Sequence, residues 1–320
     1  MEFKDKYSWG GWSNCLYVSN GEIDLVGTTD VGPRIMRFGF VGQKNLFLEI
    51  ENDMGKRGGD EFRLYGGARL WHAPEANPRS YCPDNGPVEY KWDGGIIRLL
   101  QPVETSTGMQ KEMILKVAPK NSMVEVVYRI HNKSLWQIKY AVWAPTMMTK
   151  NGKGIIPQEP FQKWEDNLLP VRPMVLWSYT RMDDPRWIWG NNFVQLHQDP
   201  NSDSRQKIGL LNKLCWCAYY IDGYVFIKRY NFNIDAQYPD YQCNTEVYTD
   251  PNAFELETLG PLQIVDPGNY IEHKENWYLF KTELDDSEEA IKKNLLPLIE
   301  KTEIPERRDN CLEKREESTY

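Results

Sequence analysis

The chain has 320 residues, 41% of them hydrophobic and 26% charged, with a formal net charge of -8. That acidic balance lacks the basic face that displaces counterions from nucleic acid, and no basic cluster is long enough to supply one locally. No apolar run approaches the roughly 20 residues that cross a bilayer, and no charged start leading into an apolar stretch marks a secretory leader.

A cytoplasmic protein with neither nucleic acid nor membrane as partner is the expectation, and the oligomeric state stays open. Six cysteines, Cys15, Cys82, Cys215, Cys217, Cys243 and Cys311, form no C-x-x-C pair. Cys215 and Cys217 would lie about 7 Å apart along one strand face, too far for a relaxed disulfide, so reduced thiols are expected.

The pattern is β almost throughout. Asn14–Ser19 and Glu22–Gly27 flank Asn20-Gly21, a hairpin signal. Strands at Arg34–Phe40 and Asn45–Glu49 follow the Gly32-Pro33 punctuation. Val88–Trp92 and Ile96–Gln101 make a second hairpin across Gly94-Gly95. Gln110–Val117, Met123–His131 and Gln137–Trp143 alternate in polarity between turn signals. The Pro-, Asn- and Trp-rich stretch 149–201 reads mostly as long loops, apart from a strand at Trp187–Leu196. Further strands are expected at Cys215–Ile221, Tyr224–Tyr230, Glu246–Tyr248, Phe254–Leu259, Leu262–Val265 and His273–Lys281.

One helix is expected near the end. Ser287 caps it, Glu288 and Glu289 complement its dipole, Ile291, Leu295, Leu298 and Ile299 share a face, and Pro297 kinks or shortens it. About fifteen short strands at this spacing predict an all-β fold, a sandwich or barrel, as one domain over 1–304. Residues 305–320 read as a disordered polar tail.

The stretch Gly66-Gly67-Ala68-Arg69-Leu70-Trp71-His72-Ala73-Pro74-Glu75 carries the most chemistry. A guanidinium, an indole, an imidazole and a carboxylate lie within seven residues, the mixture a sugar site needs: an apolar platform, forked donors and a titratable pair. Pro74 and the glycines argue against a helical metal pair at His72 and Glu75. With four histidines and no H-x-x-x-H spacing, neither a metal nor a cofactor is expected. His72 reads either as a buried structural histidine or as an acid/base or hydroxyl contact.

Glu255 and Glu257 would share one strand face, where like charges raise one pKa; solvated carboxylates on an exposed face are the alternative. Glu246 is similar in kind. Arg34, Arg37, Arg69, Lys111, Lys228 and Arg229 fall in or beside strands, either paired with these glutamates or holding an acidic sugar group. Trp71, Tyr81 and Trp143 are candidate stacking platforms.

The run 66–75, with Gly108-Met109-Gln110-Lys111-Glu112, Asn244-Thr245-Glu246-Val247-Tyr248-Thr249, Glu255-Leu256-Glu257-Thr258-Leu259-Gly260-Pro261, Pro267-Gly268 and Trp277-Tyr278-Leu279-Phe280, resembles an uncharacterised bacterial branch of the galactose mutarotase-like superfamily. The resemblance covers about residues 8–282. It implies an antiparallel β-supersandwich with a sugar groove across its concave face.

Aldose 1-epimerases set a glutamate base in a Leu-Glu-Thr-like strand before Pro-Gly, which Leu256-Glu257-Thr258 and Pro267-Gly268 resemble, so the resemblance implies Glu257 as base. Their histidine acid has no counterpart in the comparable stretch 131–145, where Trp143 stands in that part of the groove. His72 is the nearby histidine left for the role.

The resulting expectation is an isomerase of a sugar's anomeric centre, with Glu257 and His72 catalytic. Arg69, Trp71, Glu75, Lys111, Trp143, Lys228, Glu246 and Glu255 would bind a mono- or oligosaccharide. A lyase or hydrolase of uronic oligosaccharides and a non-catalytic carbohydrate-binding protein are the alternatives.

Overall fold

A computed structural model describes residues 1–306. The rest of the tail read from 305 onward, with Cys311, lies outside the described residues.

Two large antiparallel sheets face each other. The first, of twelve strands, runs in the order Glu2–Trp9, Trp12–Ser19, Ile23–Thr28, Arg34–Phe40, Ala68–Arg69, Ile138–Met148, Phe254–Leu259, Thr245–Thr249, Gln206–Leu210 and Met174–Leu176. The short strands Trp71–Ala73 and Gln263–Val265 add to Ile138–Met148. The second, of ten strands, runs Trp187–Trp189, Phe193–His197, Lys153–Pro157, Trp216–Ile221, Tyr224–Tyr230, Tyr270–Lys281, Val124–Asn132, Met109–Val117, Ile96–Leu100 and Glu89–Asp93. The fold class is the one expected, a mostly antiparallel β-sandwich with a short C-terminal helix.

Alternation along each strand decides what fills the space between the sheets. In Val124–Asn132 the inward set is Val124, Val126, Tyr128 and Ile130, and in Met109–Val117 it includes Met109, Met113, Leu115 and Val117; all belong to one buried cluster. Phe38, Phe47, Phe226 and Trp277 pack with ring centroids 5.5–5.9 Å apart at the centre of that core.

The core also holds charge. Lys228 and Glu275 are fully buried and pair at 3.0 Å. Lys228 also donates to the Ala144 carbonyl, while Glu275 accepts from Tyr128, Trp277 and Thr258. Because Thr258 belongs to the first sheet and Glu275 to the second, this network ties the sheets together. A buried charge persists only when it is paired and hydrogen-bonded in this way.

Gly66 and Gly67 let the first sheet close up. Both have positive φ, +102° and +69°, and a Cβ would lie 2.1 Å from the Leu48 carbonyl oxygen or 2.2 Å from that of Ile35. Only glycine meets both demands.

The stretch read as loops contains the strands Lys153–Pro157 and Met174–Leu176, and Trp187–Leu196 is a hairpin of two strands rather than one. Asn45–Glu49 makes only isolated bridges. The final helix begins where Ser287 Oγ accepts from the Ala290 N–H at 3.1 Å. A π-helical turn, Ile291–Leu295, precedes Pro297, whose missing N–H breaks the regular ladder. Ile291, Leu295 and Ile299 seal an outer cluster with Ile155, Ile227 and Tyr278.

Candidate sugar groove

Register builds the site. In the first sheet Glu246 lies directly opposite Glu257, Tyr248 opposite Glu255, and Gly209 and Lys207 opposite Glu246 and Tyr248. On the other side of Phe254–Leu259, Pro145 pairs with Glu257 and Trp143 with Leu259, and Trp143 pairs in turn with Trp71. Alternation therefore puts Trp71, Trp143, Lys207, Glu246, Glu255 and Glu257 on one face, the face turned away from the second sheet.

Lys207 organises this face. Its ammonium pairs with Glu246 at 2.8 Å and Glu257 at 3.1 Å. It also lies between two indoles, 4.9 Å from the ring of Trp143 and 4.8 Å from that of Trp177. Burial works against its charge, but Glu246 and Glu257 outweigh that and hold its pKa well above the ordinary lysine range. Glu257 accepts from the Trp143 indole N–H at 2.7 Å, so the same carboxylate fixes both the ammonium and one of the rings.

Above this layer opens a groove of about 450 Å³ lined by Glu75, Tyr81, Trp143, Trp177, Lys207, Asp240 and Glu246, among others. That volume suits a small polar ligand. Glu246 is fully buried beneath it, and its Oε1 has no hydrogen-bond partner. Burial pushes its carboxyl well above the usual range; Lys207 pulls it back, while Glu257 and Asp240 push it further. Burial also raises Asp240, against the neighbouring Glu246 carboxyl and Lys207. Glu255, half-buried, is pushed up to about 8 by burial and by the charge of Glu257, against Lys207 and Arg69. At the rim the Tyr81 hydroxyl donates to Glu75. Burial and that carboxylate raise the phenol to about 12.

Asp240 arrives on an unusual turn. Asp240, Tyr241 and Gln242 have φ of +51°, +58° and +81°, three successive left-handed residues without a glycine. The Tyr238 N–H donates to Gln242 Oε1 and the Cys243 N–H to the Pro239 carbonyl, which hold the turn.

The residues expected from the sequence divide into three places. Trp143, Glu75 and Glu246 line the groove. Glu255, Glu257, Trp71 and Arg69 lie on the same face but beside or beneath it. Glu257 is fully buried, covered by Trp143 and Lys207. Arg69 is buried over the Trp71 ring at 4.2 Å and near Asp84 at 3.7 Å; burial and Arg34 lower its pKa to about 9. Trp71 meets Trp143 edge-on at 4.9 Å.

His72, Lys111 and Lys228 lie elsewhere, and this corrects their expected roles. His72 pairs with Val142, a core residue, so its ring points between the sheets, on the opposite face from Glu257. It is fully buried, neither ring nitrogen has a partner, and burial with Lys111 nearby depresses its pKa to about 3. A neutral imidazole on the wrong face cannot protonate a sugar in this groove. Lys111 faces the same interior and pairs with Glu104 at 2.6 Å, and Lys228 is absorbed by Glu275.

Lys207, Trp177 and Asp240 were missed. The alternation of Gln206–Leu210 was a weak signal for Lys207; nothing local marks Trp177 or Asp240, which tertiary packing brings in. Among the described residues no three His, Cys, Asp or Glu side chains are grouped to hold a metal ion.

No protein-family description and no curated protein sequence matches the chain. Solved structures do resemble it. A "putative aldose 1-epimerase" from Klebsiella pneumoniae is 11% identical, with a TM-score of 0.59 over 86% of this chain and 82% of that one. A "putative mutarotase" from Salmonella typhimurium is 11% identical, TM-score 0.54, over 84% and 91%. A galactose mutarotase-like protein from Lactobacillus casei is 7% identical, TM-score 0.53, over 83% and 100%. The fold is the galactose mutarotase-like β-sandwich. Among the described residues no helix is long and apolar enough to cross a membrane.

Proposed function

We propose that the protein binds a sugar in this groove and exchanges its anomers by acid–base catalysis. The observation that carries the reading is the groove itself. Two indole rings flank a paired ammonium, and two carboxyl groups with raised pKa values, Glu246 and Asp240, line the same space. Indoles stack on the apolar face of a pyranose, and carboxyls at its edge meet the hydroxyls.

In this reading Glu246, kept neutral by burial, donates its proton to the ring oxygen. Asp240, a stronger base than an ordinary carboxylate, takes the proton of the anomeric hydroxyl. The ring C–O bond breaks to give the open aldehyde, the carbonyl rotates, and the two protons return as the ring closes on the other face. Each proton transfer is worth on the order of 10²–10⁴ in rate. Glu257 serves as a positioning residue, holding Lys207 and Trp143 in place. Bond cleavage on uronic oligosaccharides fits less well, because carboxylates outnumber cations in the lining and Lys207 is already committed to two glutamates.

The test is anomer exchange followed by proton NMR on freshly dissolved single-anomer sugars. Wild type is expected to accelerate exchange. Asp240→Asn and Glu246→Gln each should lose most of it, and Glu257→Gln should weaken it through sugar binding. Saturable binding without acceleration would leave a carbohydrate-binding protein, and a full rate in both Asp240→Asn and Glu246→Gln would refute the assignment.

A further inference from the structure

The groove carries a charge imbalance that a plain hydroxylated ring does not answer. Three carboxyl side chains line it, Glu75, Asp240 and Glu246, against one cation, Lys207. That cation is spent, since Glu246 and Glu257 lie within 3.1 Å of it and the Trp143 and Trp177 rings enclose it. Among the described residues neither Asp240 nor Glu75 has a lysine or arginine within ion-pair distance; the rim contact of Glu75 is the neutral Tyr81 hydroxyl. Glu246, fully buried, keeps an oxygen with no partner at the groove floor. A carboxyl that donates its one proton still accepts at its other oxygen.

Three carboxyl groups with no uncommitted cation among them describe the complement of a primary ammonium, which carries three N–H donors and one positive charge. Resting on the reading of the groove as a sugar site, we infer that its preferred ligand is an amino sugar, its protonated amine seated among Asp240, Glu75 and the free oxygen of Glu246. A uronate or a sugar phosphate would place a second negative charge against the same carboxylates.

The experiment is a set of dissociation constants by titration calorimetry on the full chain, at neutral pH and low salt. The probes are glucosamine and galactosamine, their neutral parents glucose and galactose, the N-acetylated forms, glucuronate and glucose 6-phosphate. A charged hydrogen bond in a half-buried setting should favour each amino sugar about tenfold over its parent. N-acetylation, which removes charge and two donors, should erase that preference, and added salt should shrink it.

Glu75 is exposed, so Glu75→Gln should fold normally. Relative to its own affinity for the neutral parents, it should lose several-fold of the amine preference; an unchanged preference would overturn the inference. Equal binding of amino and neutral sugars would overturn this inference and leave the sugar site standing. Tighter binding of glucuronate or the phosphate would overturn it as well. Binding of none of the probes would remove the sugar site and the inference together.

Discussion

Lys207→Met tests the architecture of the groove most directly. Methionine keeps most of the volume and both indole contacts but removes the ammonium. Glu246 and Glu257, opposite each other in the sheet and both fully buried, then face one another with no counter-charge. Breaking a buried ion pair by deleting one partner costs about 3–5 kcal/mol.

The chain can escape part of this by protonating the carboxylate that remains charged. At pH 7 that proton costs about 4 kcal/mol for a glutamate of ordinary pKa, and about 1.4 kcal/mol less for each unit the pH falls. Both routes give a deficit near 4 kcal/mol at pH 7. In the variant the folded-state pKa of the pair lies above its unfolded value, so the folded state holds the extra proton. The deficit must therefore shrink on acidification and be small near pH 5. Urea unfolding of wild type and variant at pH 5, 6, 7 and 8 measures it, with unchanged m-values as the check on two-state behaviour. A deficit below about 1 kcal/mol at pH 7, or one that grows toward pH 5, would refute the claim that Lys207 is the counter-charge of the buried Glu246–Glu257 pair.

Three further outcomes are expected. The Glu255 carboxyl, raised to about 8 in the folded chain, binds a proton that the unfolded chain has lost. Wild-type stability should therefore fall between pH 6.5 and 8, at most by about 1.4 kcal/mol per unit from this group, and Glu255→Gln should flatten that slope in urea titrations. His72→Leu should cost less than about 1.5 kcal/mol and leave sugar binding intact, since it exchanges an unpartnered buried imidazole for an apolar side chain of similar size. Because the folded-state pKa of His72 is depressed to about 3, the same substitution should reduce the stability lost as pH falls from 6.5 toward 4, readable in the thermal midpoint. Gly67→Ala should destabilise by upwards of about 2 kcal/mol in chemical unfolding, from a left-handed backbone and a Cβ 2.2 Å from a carbonyl oxygen.

Much of the fold was legible from alternation, because a strand with one face buried writes its burial into every second residue. Val124–Asn132 follows that rule closely, and Phe254–Leu259 alternates apolar and acidic residues from Phe254 to Glu257. The strands Ala68–Arg69 and Trp71–Ala73 did not show, since two or three residues are too few for any periodicity and their pairing depends on the distant Ile138–Met148. Trp216–Ile221 and Lys153–Pro157 are buried on both faces and have little polar phase to read: the first shows as a continuous six-residue apolar run, while the second is shorter and broken by Lys153, Gly154 and Pro157.

Spacing along one segment was enough to place Glu255 and Glu257 on one face, to start a helix at Ser287, and to mark Arg69 to Glu75 as a concentration of unusual chemistry. Which way His72 points was not such a matter. Alternation separates it from Trp71, but only the pairing of Trp71–Ala73 with Ile138–Met148 sets which of the two faces the groove. Tertiary structure alone decided that Lys111 and Lys228 are buried counter-ions and that Lys207, Trp177 and Asp240 converge on Glu246. The pairings of Lys207 with Glu246 and of Lys228 with Glu275 join residues more than thirty positions apart, and the free energy that assembles them comes from burying the core between two sheets, which no local pattern encodes.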